Sequence, residues 1–177
     1  MPNSLLALYG AMEKDFGDLP ELCAVTYECS FDNSDNLEGC GKHLFEATNN
    51  DVLQSRKNDE HHFYNYLEHQ MFAKLQEMKS YSEVNVFNTR RLVSVSSDCI
   101  SMIQILLREE IHLILHFRSS DFDGALPVDL EWVSTLPNKL IKHLSLLNYS
   151  EINPKALEKL TKTGIKLTLT FGSLHRT

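Results

Sequence analysis

Long apolar runs are absent from this sequence. Its hydrophobic stretches fall far short of the roughly 20 residues that a membrane-spanning helix requires, so no such helix is expected. The amino terminus, MPNSLLALYGAMEKDF, has no basic start and no small-residue cleavage site, and Glu13, Lys14 and Asp15 stand where a signal peptide stays apolar. These absences point to a cytoplasmic chain (the host cytoplasm for a viral one). Basic charge is also short: 17 lysines and arginines face 24 aspartates and glutamates, a formal net charge of −7. A general nucleic-acid-binding surface would be basic, so that class is excluded. A small anion site is not, because a few arginines in one pocket hold a phosphate even on an acidic protein.

Cysteine is sparse, four residues in all, with no Cys-x-x-Cys pair. In a cytoplasmic chain the thiols stay reduced. Cys23, Cys29, Cys40 and His43 fall within 21 residues and could close a tetrahedral zinc site. Cys23 and Cys29 make a poor knuckle, however, and the preferred reading is buried or loop cysteines with no metal. Tryptophan occurs once, at Trp132, and no internal repeat is visible.

What remains is ordinary globular material, 42% hydrophobic and 23% charged over 177 residues. That length predicts one domain spanning residues 1–177. Leu5, Leu6, Met12 and Phe16 suggest a short helix within residues 1–16. Residues 30–60, rich in Asn, Asp, Ser, Lys and Gly, read as loops around a short element near Leu44 and Phe45. The clearest helix covers 62–79, where Phe63, Leu67, Met71, Leu75 and Met78 share a face. His61, His62 and His69 read as its solvated side rather than metal ligands.

The period then changes. Residues 91–97, 102–107 and 111–117 are strand-length runs, and Arg108-Glu109-Glu110 reads as a hairpin turn. In the third run Ile111, Leu113, Leu115 and Phe117 face one way, and His112, Ile114, His116 and Arg118 the other. Residues 129–146 predict a helix broken by Pro137. Asn153-Pro154 starts another helix that Gly164 stops, and Ile165–Phe171 is a last strand. The expected class is α/β (α+β), a mixed sheet layered with helices.

Arg118-Ser119-Ser120-Asp121 carries the most chemistry. It follows a strand, where the chain leaves the sheet and side chains can converge on a ligand. A guanidinium grips phosphate oxygens as a planar fork, and an adjacent hydroxyl adds a donor. The bland alternative is a local Arg–Asp ion pair. Around the motif stands an ordered set. Arg90 and Arg91 precede a strand; Cys99 follows; Gln104 lies five residues past Cys99, and Arg118 nineteen past it. Leu126-Pro127-Val128-Asp129 puts Asp129 eleven past Arg118, and Phe171-Gly172-Ser173-Leu174-His175 closes a late strand. This order resembles the core of the thymidylate synthase and deoxycytidylate hydroxymethylase family. There a paired arginine, a nucleophilic cysteine, a glutamine five positions on, an Arg-Ser-x-Asp motif, a Leu-Pro-x-Asn and a Gly-x-x-His follow one another. The best-matched stretch, about residues 90–129, is under a quarter of the chain.

The resemblance implies a thymidylate synthase-like sheet and a role for each matched residue. Arg118 and Ser119 would bind the phosphate of a pyrimidine nucleotide, with Asp121 completing the motif. Arg90 and Arg91 would reach the phosphate held by a partner subunit, since family members are homodimers. Cys99 would attack C6 of the pyrimidine, Gln104 would line the site, and His175 would contact the sugar. Asp129 stands where an asparagine reads uracil, which favours a dCMP-type substrate over dUMP. If the chain is catalytic, methylene-tetrahydrofolate is the implied one-carbon donor; otherwise no cofactor is implied.

The chain also departs from the family pattern. Asp98-Cys99-Ile100 replaces Pro-Cys-His, and Asp98 sets a negative charge beside the nucleophile. The stretch between the arginines and Cys99 is shorter, its Trp-Asn is missing, and nothing after Thr177 matches the closing tail. Three functions stand in order. The first is a divergent, non-catalytic relative that binds a pyrimidine nucleoside monophosphate. The second is an active, compact, viral-type C5 methyl- or hydroxymethyltransferase with Cys99 as nucleophile. The third is an unrelated α/β protein-interaction domain.

Overall fold

The computed structural model describes residues 1–32, 63–80, 93–95, 99–146 and 154–176. In chain order the elements are α1 (Leu5–Phe16), β1 (Glu21–Phe31), α2 (Phe63–Ser80), β2 (Val93–Val95), β3 (Ile100–Leu107), β4 (Ile111–Asp121), α3 (Ala125–Leu146), α4 (Pro154–Thr163) and β5 (Ile165–His175). This is a mixed α+β arrangement. The strands form one sheet in the order β1-β5-β4-β3-β2. Only β4 and β5 run parallel; the other neighbours are antiparallel. The parallel pair is joined through α3 and α4, the long crossover that parallel neighbours require.

Local chemistry explains the element ends. The Ser4 hydroxyl accepts from the Ala7 amide at 3.1 Å and caps α1, whose buried residues Leu5, Leu8, Met12 and Phe16 recur at helical spacing. Gly17, at φ 47°, ends that helix. Gly164, at φ 79°, ends α4, and its missing Cβ would fall 1.8 Å from the Phe31 carbonyl oxygen. Only glycine supplies both the conformation and the space there.

Ile111, Leu113, Leu115 and Phe117 of β4 are buried, and Ile165, Leu167, Leu169 and Phe171 of β5 join them in one core. Tyr64, Leu67, Met71 and Leu75 of α2 belong to the same core, as do the buried residues of α1, α3 and α4. The described helices therefore lie on one face of the sheet. On the opposite face His112, Ile114, His116, Met102, Gln104 and Leu106 are partly exposed. Burying each large apolar side chain contributes roughly 1.5–3 kcal/mol.

Helix α3 differs from expectation. It begins at Ala125 and passes through Pro137 without a break. An interior proline costs about 3 kcal/mol. Val133, Leu136, Leu140 and Leu144 are all buried around it, and this packing outweighs the lost hydrogen bond. No described helix is long and apolar enough to cross a membrane.

One transverse row interrupts the alternation. In β4 burial steps from Phe117 to Ser120, and in β5 from Phe171 to Leu174. In β1 the core-packed residues step from Val25 to Leu22. Each strand thus takes a three-residue step, across Arg118, Gly172 and Ala24. Because all three step together, their registers continue without a slip on either side. Ala24 adopts φ 53°, a left-handed conformation that a non-glycine residue seldom takes. A Cβ on Gly172 would lie 2.7 Å from the Arg118 carbonyl oxygen. On β3 the accommodation is a bulge at Ser101, between the pairs Ile100–Phe117 and Met102–His116. The Ser101 hydroxyl donates to the His116 carbonyl at 3.0 Å.

Candidate functional site at the end of the parallel strands

Strands β4 and β5 end together. Their register sets Ser119 beside Ser173 and Asp121 beside His175, so the Arg118 motif and His175 share one end of the sheet. The Phe122 amide closes that end by donating to the His175 carbonyl at 2.8 Å. Arg118 is exposed, and its guanidinium has no hydrogen-bond or ion-pair partner among the described residues. Its backbone N–H donates to the Cys99 carbonyl at 2.8 Å, which places Cys99 directly across the strand pair. Cys99 itself is partly buried. The Asp121 carboxylate accepts from the Asp123 amide at 3.2 Å, a turn contact that shapes the exit from β4.

The remaining sequence candidates lie elsewhere. Gln104 sits further along β3, paired with Ile114 and Val93. Asp129 is 0% exposed inside α3 and accepts from the Tyr64 hydroxyl, so it is held in the helix layer. Arg90, Arg91, Cys40 and His43 lie outside the described residues. On β1, Cys23 is exposed and Cys29 is buried. Among the described residues no three His, Cys, Asp or Glu side chains are gathered to hold a metal ion.

Two clusters have no sequence precursor. Beside His175, the Arg176 guanidinium carbon lies 5.1 Å from the Phe16 ring centroid and 5.0 Å from that of Phe122. Its nitrogens reach Asp123 at 3.4 Å and Glu13 at 3.7 Å. Tyr9 stacks on Phe122 at 4.4 Å and donates to the Phe122 carbonyl at 3.1 Å. Burial raises the Asp123 pKa, Arg176 opposes the rise, and Asp121 and Glu13 reinforce it. Burial, followed by Asp123 and Glu13, pushes the Tyr9 phenol up as well.

The second cluster crosses the partly exposed sheet face. The Thr168 hydroxyl donates to Glu28 at 3.2 Å and lies 2.7 Å from His112 Nε2. With its proton directed at Glu28, Thr168 accepts from an Nε2–H tautomer of His112. Burial lowers the His112 pKa, as does Lys166, while Glu28 and Glu110 pull it back. These partners are so far apart in sequence that no local pattern marks them; alternation places His112 on this face and goes no further.

At the other end of β4 a depression of about 270 Å³ is lined by Glu109, Lys155, Glu158, Lys159, Lys162 and Thr163. It includes none of the residues of the Arg118 motif. Compared with protein-family models and with curated proteins, the chain has no match.

Proposed function

We propose that this chain is a non-catalytic binding module that uses Arg118, with Ser119 beside it, to grip the phosphate of a small anionic ligand, a pyrimidine nucleoside monophosphate in the thymidylate synthase-like reading. The observation that carries the reading is the exposed guanidinium of Arg118, which no described group neutralises, at a row where three strands break step. Sheet irregularities re-aim side chains beside binding sites. An arginine without a partner retains its capacity for a bidentate phosphate contact.

The non-catalytic version stands first because Asp98 sits beside Cys99 and the family's Trp-Asn is missing; the position of Asp129 counts against a base-reading role for it in either version. A residue that reads a base must touch it, and Asp129 is wholly buried against Tyr64. Cys99 would be the nucleophile of the transferase version, with methylene-tetrahydrofolate as donor. Calorimetric titration with dCMP, dUMP and inorganic phosphate tests the proposal. Arg118→Ala should weaken nucleotide binding by about 1.5–3 kcal/mol, the range for hydrogen bonds to charged groups, while Cys99→Ser leaves it unchanged. Absence of binding by the unaltered chain removes the reading. Tritium release from C5-labelled dCMP or dUMP that depends on Cys99 replaces it with the transferase.

A further inference from the structure

His112 and His116, on the open face of β4, use their rings differently. His112 turns Nε2 inward, 2.7 Å from the Thr168 hydroxyl. His116 instead meets the Thr170 hydroxyl through Nδ1. That hydroxyl has one proton and two acceptors in reach, His116 Nδ1 and the Leu115 carbonyl. The carbonyl is 3.5 Å away, at the outer limit for a hydrogen bond, so the nearer Nδ1 takes the proton. A neutral imidazole that accepts at one nitrogen carries its N–H on the other. His116 therefore presents Nε2–H as a donor, and no described group accepts it.

The strand step puts that donor beside Arg118. Phe117 and Ser120 are both buried, so the two residues between them, Arg118 and Ser119, both leave the core. Arg118 thus joins His116 on the face away from the helices, two residues along the same strand and roughly 6–7 Å from it between Cα atoms. In the neighbouring strands Gly172 and Ala24 are exposed and carry little or no side chain. Gly172 lies between the pairs His116–Thr170 and Ser119–Ser173. The surface beside the guanidinium and the imidazole is therefore low, and a tetrahedral anion can sit there against both.

We propose that His116 is the second ligand contact of the Arg118 site, and that the pair selects phosphomonoesters over phosphodiesters. This inference rests on the phosphate reading of Arg118. A guanidinium fork takes two oxygens along one edge of a phosphate, and the Nε2–H of His116 takes a third. A monoester has three terminal oxygens and a diester has two. A diester therefore satisfies the fork and leaves His116 without an acceptor.

Calorimetric titrations compare dCMP with its methyl phosphodiester on the unaltered chain, Arg118→Ala, His116→Asn and His116→Gln. The asparagine amide falls where Nδ1 stood and keeps the contact with Thr170. The glutamine amide reaches the place of Nε2 and restores the outward donor. His116→Asn should weaken dCMP binding about tenfold or more, the worth of a hydrogen bond to a charged group, and leave the affinity for the methyl ester unchanged. His116→Gln should recover the binding of dCMP. Equal dCMP affinity in the unaltered chain and His116→Asn overturns the proposal, as does an equal loss for both ligands, or a His116→Gln chain as weak as His116→Asn. If Arg118→Ala still weakens dCMP binding in any of these cases, the anion reading stands and His116 alone is removed from it. No binding of dCMP by the unaltered chain removes both.

Discussion

The Arg118 amide donates to the Cys99 carbonyl at 2.8 Å, and the Arg118 carbonyl faces Gly172 so closely that a Cβ there would stand 2.7 Å away. The row that turns Arg118 outward therefore depends on a glycine in the neighbouring strand. Gly172→Ala should cost about 1–3 kcal/mol, the usual penalty for forcing an extra methyl into a packed region. It should also move the amide resonances of Arg118 and Cys99. Gly10→Ala is the control: it lies in α1 with nothing within 4 Å of the added methyl, and should stabilise by roughly 0.8–1 kcal/mol from helix propensity alone. Urea unfolding of the two variants measures both signs. A neutral Gly172→Ala would mean that the strands can part at no cost and that the row is not a fixed feature.

Tyr64 donates to Asp129 where both are buried, and the Tyr64 ring stacks on Trp132 at 4.7 Å. Tyr64→Phe keeps the stacking and removes only the donor. The expected loss is about 1–3 kcal/mol, because an acceptor that has left water keeps its desolvation penalty when its partner goes. Asp129→Asn should leave any discrimination between dCMP and dUMP unaltered. A change in that preference on altering Asp129 would return it to a ligand-reading role.

The fold was legible where a pattern repeats locally. Leu67, Met71 and Leu75 mark α2, and alternation from Ile111 to Phe117 sorts β4 into its two faces. Gly164 stops α4 as its type and place suggest. Pro137 was misleading because propensity is local, whereas the packing of Val133 and Leu140 that carries α3 past it is tertiary. The three-residue step at Ala24, Arg118 and Gly172 is invisible in any one strand, since each looks like a slightly irregular run. The candidate site was legible as a motif but not as a geometry. Asp121 and His175 meet because β4 and β5 are parallel, which follows from the crossover, not from residue spacing. Asp129 falls on the buried side of a helix that starts earlier than its sequence suggests.

Glu68 joins α2 to α3 through two donors. It accepts from the Trp132 indole N–H at 2.6 Å and pairs with Lys139. Glu68→Gln keeps an acceptor for the indole and loses only a half-exposed ion pair, so the expected cost is under about 1 kcal/mol. Glu68→Leu also removes the acceptor, and a poorly satisfied indole N–H should bring the cost to about 1–3 kcal/mol. Trp132 is the only tryptophan in the chain, so its emission reports this site without overlap. Denaturation followed by that emission should rank the unaltered chain, Glu68→Gln and Glu68→Leu in falling order. Equal losses for the two variants would assign the stabilisation to the ion pair instead.

Two histidines make stability depend on pH in the same direction. Burial lowers the His112 pKa, reinforced by Lys166 and opposed by Glu28 and Glu110. Burial also lowers that of His143, which stacks on Phe72 at 3.6 Å, with Lys142 reinforcing and Glu68 opposing. In the unfolded chain each should titrate near 6.5, the ordinary histidine value. Above that pH both imidazoles are neutral in both states, and the full stability is present. As pH falls below it the unfolded chain takes up protons first, so stability declines until the folded imidazoles protonate as well, and then levels off. Asp123, whose folded pKa is raised, loses its contribution as pH rises from the carboxylate range, and so acts in a lower window. Urea midpoints measured from pH 8 to pH 5 should therefore fall with acid below about 6.5. His112→Asn retains a donor for Thr168 and should remove part of the slope, and adding His143→Asn should remove more. A slope unchanged in the double variant would place the linked protons on other groups and refute the assignment to these two rings.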